Sequence, residues 1–172
     1  MSTVIDGSAS VTINSGAVLG ITSMTVNNGG TTPFDNTLTS IDFTGIPSWV
    51  KRITVLFNGV SLSATANILV QLGTSSGVET TGYTSNAGET PSGTSTAGFV
   101  GYLAVASRTL TGAFTITSFG SNLWICTSIT NNTSTSLTQS GSKTLGGTLD
   151  RVRITTTSTD KLDAGSVNIL YE

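Results

Sequence analysis

The sequence predicts an all-β fold: an antiparallel β-sandwich, jelly-roll-like, preceded by a short β-rich N-terminal stem. Three observations carry this reading. Short runs of alternating apolar and polar residues recur along the chain, separated by Gly, Ser and Asn turns. No apolar stripe of helical period and useful length appears. Ser and Thr make up roughly a third of the residues and charged residues only 9%, against about 25% in an average soluble protein. Solvation therefore rests on hydroxyls, amides and glycine, and β-branched Thr suits a pleated surface facing water.

Taken in order, the 172 residues fit one domain of ordinary size with a short appendage. Residues 1–35 read as the stem, with strand signals at Val11–Ile13, Val18–Leu19 and Ile21–Val26, closed by Asn27, Asn28, Gly29, Gly30 and Pro33. Its apolar residues are too few to close a core, and so short a segment rarely folds without oligomerisation. It is expected to bury its Val and Ile against copies of itself. Residues 36–172 read as the sandwich head. Ile41 and Phe43 alternate with polar neighbours, and Pro47, which lacks a backbone donor, forces a turn. From Val50 to Phe57, Ile53, Val55 and Phe57 share one face while Arg52, Thr54 and Leu56 share the other, the pattern of a half-buried strand. Asn58-Gly59 reads as a hairpin turn.

Further strands are expected at Asn67–Leu72, Gly98–Val105, Ala113–Thr117, Leu123–Thr130, Thr135–Gln139, Thr148–Ile154 and Ser166–Tyr171. In the last, Val167, Ile169 and Tyr171 share a face, so the C-terminus is expected to pair in a sheet. The widest gap, Gly73–Ala97, reads as a polar loop holding Glu79, Tyr83, Asn86, Glu89 and Pro91. Long loops are often functional, which makes it the first place to look for binding.

The same composition narrows the chemistry. With no histidine, a Ser-His-Asp triad and a His-ligated metal are excluded. The single cysteine, Cys126, lies in the apolar run Leu123-Trp124-Ile125-Cys126 and reads as a small core residue with no basic neighbour to activate it. The nine acids fall mostly in turns, so no carboxylate pair for glycoside hydrolysis stands out. A net charge of -2 with scattered cations argues against nucleic-acid binding. No apolar run approaches a membrane span, and the N-terminus carries neither the basic nor the apolar part of a secretory signal. No catalytic residue, cofactor or metal site is expected.

The segment Ile41 to Ser61, IDFTGIPSWVKRITVLFNGVS, resembles the C-terminal domain of tailed-bacteriophage fibre proteins. The resemblance extends to Ile68–Gly73, Gly77–Tyr83 and the ending Asp163–Glu172. The stretch Asp6–Ile13 is similar to short shaft repeats of such proteins. The resemblance implies a homotrimeric virion appendage, assembled in the host cytoplasm, attached to other virion proteins by its N-terminal part and displaying its C-terminal domain outward. It carries over no catalytic motif and names no receptor.

A fibre tip of this kind would bind host cell-surface carbohydrate through shallow sites repeated three times, each weak but multiplied by avidity. Sugars offer an apolar face to an aromatic ring and hydroxyls to amides and carboxylates. Among Trp49, Tyr83, Tyr102 and Trp124, both tryptophans read as core, Trp49 beside Pro47 at a strand entrance and Trp124 inside an apolar run. Tyr83 sits in a polar stretch with Asn86 and Glu79 near it, and these three are the candidate receptor-binding residues. The alternatives are a capsid decoration protein, head fibre or tail connecting protein without receptor specificity and, further off, a polysaccharide-degrading enzyme.

Overall fold

A computed structural model describes residues 22–24, 37–88 and 93–172. These residues form two antiparallel sheets packed face to face. One sheet has eight strands in the order β1 (Thr22–Met24), β13 (Leu162–Tyr171), β3 (Arg52–Leu62), β9 (Leu110–Gly120), β10 (Leu123–Asn131), β11 (Ser136–Thr144), β6 (Tyr83–Ala87) and β7 (Thr94–Ser95). The other runs β2 (Ser40–Thr44), β12 (Arg151–Thr156), β4 (Ile68–Thr74) and β5 (Gly77–Val78), with β8 (Phe99–Gly101) also pairing with β4. From β2 onward most connections cross between the sheets, as in a jelly roll; the β4–β5 and β6–β7 pairs and the meander β9–β10–β11 stay within one sheet. The expected stem strands at Val11–Ile13 and Val18–Leu19 lie outside the described residues. Of the stem, Thr22–Met24 pairs with Ile169–Tyr171 at the edge of the head.

Period-two alternation builds the core. Ile53, Val55 and Phe57 of β3, Phe114 and Ile116 of β9, and Ile169 of β13 point inward from the larger sheet. Phe43, Ile68, Val70, Leu72, Val152 and Ile154 meet them from the smaller one. Phe57 and Phe114 pack edge to face at 5.3 Å between centroids, an arrangement aromatic rings favour over a face-to-face sandwich. Trp124 and Cys126 are buried, as their apolar run suggests. Burial pushes the Cys126 thiol well above its ordinary value, against a weak contact with Gln139, so it stays a protonated core group.

Two sequence expectations are corrected here. Asn58-Gly59 is not a hairpin turn: it is a bulge inside the eleven-residue strand β3, where the register against β9 slips between Phe57 and Val60. Gly59 has φ 62. Opposite it Gly165 has φ 87, and a Cβ on Gly165 would fall 2.4 Å from the Gly59 carbonyl oxygen. The two glycines let adjacent strands bend past each other where side chains would collide. Nor is Gly73–Ala97 a structureless loop, since it contributes β5, β6 and β7; Glu89 and Pro91 lie outside the described residues.

Candidate functional site

Tyr83 opens β6 and is only 2% exposed. Its ring packs edge to face on Phe99 at 5.2 Å. Its hydroxyl accepts a hydrogen bond from the Leu72 N–H (2.6 Å) and donates to the Glu79 carbonyl (3.0 Å). No face of this ring is available to a sugar. Burial, the Leu72 bond notwithstanding, raises the phenol far above its ordinary value. Asn86 is exposed on the outer face of β6, opposite in direction to Tyr83. Glu79 is half-buried, its carboxylate 2.6 Å from the Lys143 ammonium. The three candidates therefore form no common surface.

Trp49 reverses in the opposite sense. It is 49% exposed, on the β2–β3 connection, its ring 6.1 Å from that of Tyr171. This connection lies at one end of the sandwich and helps enclose a cavity of about 190 Å³. Pro47, Ser48, Val50 and Lys51 form one wall; Ser118, Gly120, Ser121, Asn122 and Trp124 of the β9–β10 hairpin form a second; Thr148 and Leu149 of the β11–β12 connection complete it. The lining supplies hydroxyls, an amide, an ammonium and the buried indole, with no carboxylate. Two exposed aromatics neighbour the lining in sequence without being part of it: Trp49 between lining residues Ser48 and Val50, and Phe119, 78% exposed, between Ser118 and Gly120.

Local geometry explains both positions. Ser121 and Asn122 have φ 50 and 61, the paired left-handed values of a tight two-residue hairpin turn. Just before it the β9–β10 register slips, with Leu123 opposite Gly120 but Trp124 opposite Ser118, so Phe119 has no cross-strand partner and is pushed outward. Across the cavity the Val50 N–H bonds the Pro47 carbonyl (3.1 Å), a turn that turns Trp49 away from the core.

Backbone bonds tie the three walls together. The Ile46 N–H reaches the Asp150 carbonyl (2.8 Å), the Ser118 N–H the Lys51 carbonyl (2.8 Å), and the Leu145 N–H the Asn122 carbonyl (3.0 Å). The Glu172 carbonyl receives the N–H groups of Lys51 (2.7 Å) and Arg52 (2.8 Å), so the chain terminus braces the first wall. Arg52 and Glu172 are also joined by an ion pair. Lys51, in contrast, lines the cavity and makes no ion pair among the described residues.

Glu79 acts on this site at a distance. One carboxylate oxygen pairs with Lys143 and the other accepts the Gly146 N–H at 2.8 Å, fixing the connection that carries Thr148 and Leu149. Burial alone would raise the Glu79 carboxyl; the bonds from Lys143 and Gly146 and the lysine charge outweigh it and hold it below its ordinary value. Among the described residues no group of three or more metal-ligating side chains occurs.

The sequence signals for this cavity are faint. Gly120-Ser121-Asn122 is a turn cluster, but nothing local joins it to Trp49 or Thr148. Comparison of the chain with protein-family models, curated proteins and solved structures yields no match.

Proposed function

We propose that this chain is a structural protein of a bacteriophage particle, a homotrimeric tail fibre whose C-terminal sandwich binds a host cell-surface glycan at the cavity between the β2–β3, β9–β10 and β11–β12 connections. The virion reading draws on the fibre-like segments Ile41–Ser61 and Asp163–Glu172 and on the hydroxyl-rich, charge-poor sandwich. The single observation that carries glycan binding is a polar cavity whose walls carry two exposed rings next to lining residues in sequence, Trp49 and Phe119. Rings of this kind take the apolar face of a sugar, and Ser48, Ser118, Ser121 and Asn122 take its hydroxyls.

The cavity is smaller than the ~300–1,000 Å³ of drug-sized ligand sites, so it suits one sugar unit of a longer polymer. Affinity per site is then weak, and three copies on one fibre raise it by avidity. The walls are already tied together, which spares the cost of ordering loops on binding. The small volume also favours a second reading, a decoration or connecting protein of the virion without receptor specificity.

An array of bacterial surface polysaccharides separates the two. The glycan reading predicts that the protein binds at least one polysaccharide, and that Trp49→Ala and Asn122→Gly, the latter keeping a residue suited to the positive φ, each weaken binding tenfold or more with an unchanged melting temperature. Binding to none of them would leave the decoration reading, and release of reducing ends would turn the assignment toward an enzyme.

A further inference from the structure

The two outer faces of the sandwich differ in charge. On the five-stranded sheet, Asp42 of β2 pairs with Arg153 of β12 at 2.6 Å, and Arg151 lies 2.9 Å from Asp150. The eight-stranded sheet has almost no charge to show. Strands β9, β10, β11 and β6 contain a single charged residue, Lys143, and it is buried. The charged residues of β3 and β13, Arg52 and Asp163, sit at strand ends.

At the centre of this face the strand register aligns Leu56, Ala113 and Ile129 as direct cross-strand neighbours. Ile129 is 73% exposed and Leu56 36%. The adjoining row is Thr54, Thr115 and Thr127, aligned in the same way. Single exposed aliphatics are ordinary on a protein surface. An apolar row across three neighbouring strands, separated by a row of hydroxyls from the nearest charge, Arg52, is a different feature.

We infer that copies of this chain meet through the outer face of the eight-stranded sheet, around the Leu56–Ala113–Ile129 row. Five long strands spaced ~4.8 Å apart, each about ten residues at ~3.4 Å, present roughly 800 Å², and a stable interface takes about that area from each partner. Charged residues are depleted at interface cores, and the centre of this face carries none; the Arg52–Glu172 pair lies at its margin. A charged partner would find nothing at that centre to pair with. The inference rests on the homotrimeric part of the proposed function, but the face is separate from the glycan cavity, which lies beyond the strand ends, so glycan binding by a single site can be tested apart from it.

Sedimentation velocity of the full chain at micromolar concentration tests this. Wild type is expected to sediment as an oligomer and the Leu56→Asp/Ile129→Asp double variant as a monomer, while Thr44→Asp on the opposite face keeps the oligomer. Both replaced side chains reach solvent in the single chain, so thermal melting should show the double variant folded. Thr127→Arg, on the same face with no apolar group removed, should raise the dissociation constant at least a hundredfold and covers the case in which the double variant fails to fold. A monomeric wild type, or an oligomer that persists in the folded variants, overturns the inference.

Discussion

Three groups surround the Lys143 ammonium inside the sandwich: the Glu79 carboxylate at 2.6 Å, the Thr81 carbonyl at 2.9 Å and the face of the Tyr83 ring, 5.2 Å to the centroid. Such a charge is tolerable only while its partners remain. Glu79→Gln should therefore destabilise the protein by about 1–3 kcal/mol, discounted from the fully buried case because Glu79 is partly exposed. Its pH dependence has a definite sign. The folded carboxyl titrates below its ordinary 4.5, so its contribution is complete above pH 4.5 and is lost as pH falls through the lower folded value. Wild-type stability should drop in that acid window, and the drop should be smaller in Glu79→Gln; equal slopes in denaturant titrations would contradict the role. Tyr83→Phe leaves the buried Leu72 N–H without its partner and should cost about 1–3 kcal/mol, read as a lower melting temperature. Tyr83 and Trp49 were also the hardest residues to place from sequence. The inward positions after Tyr83 on β6 are Ser85 and Ala87, so no apolar alternation announces the strand. Trp49 lies in an irregular turn where periodicity says nothing about direction.

At the scale of elements, strands with apolar inward positions were legible and their ends were not. β10 and β13 could be located from alternation and β4 from its continuous apolar run, yet β9 and β11 run well past their apolar stretches because hydroxyl residues extend the ladder. Asn58-Gly59 shows the limit of a local turn signal: positive φ serves a bulge as well as a hairpin, and the decision rests with β9 and β13, distant in sequence. Gly165→Ala should cost about 2–3 kcal/mol, from a strained φ and from a contact with the Gly59 carbonyl that backbone cannot relieve; unchanged stability in urea unfolding would refute the bulge pairing. Removing residues 167–172 takes away the inward-facing Val167, Ile169 and Tyr171 and leaves the edge of β3 unpaired. It also frees the Lys51 and Arg52 N–H groups from Glu172. The truncated protein should be recovered as insoluble aggregate, and a soluble, cooperatively melting product would contradict the placement of β13.

Over the whole molecule, the fold class could be read from composition and alternation because both follow from a short-range rule, that successive strand residues face opposite sides. The cavity could not, because its walls come from residues near 50, 120 and 148, and only the strand order brings them together. The same order places the charges on one outer face and the apolar row on the other. Trp49 gives the most direct access to the central claim, glycan binding at the loop end. It is 49% exposed whereas Trp124 is 5% exposed, so acrylamide quenching of wild-type fluorescence reports chiefly on Trp49. Titrated with fragmented bacterial surface polysaccharides, the protein should show a saturable loss of quenching with at least one of them, and the effect should vanish in Trp49→Ala. Quenching that no polysaccharide alters, or protection that survives in Trp49→Ala, would contradict it.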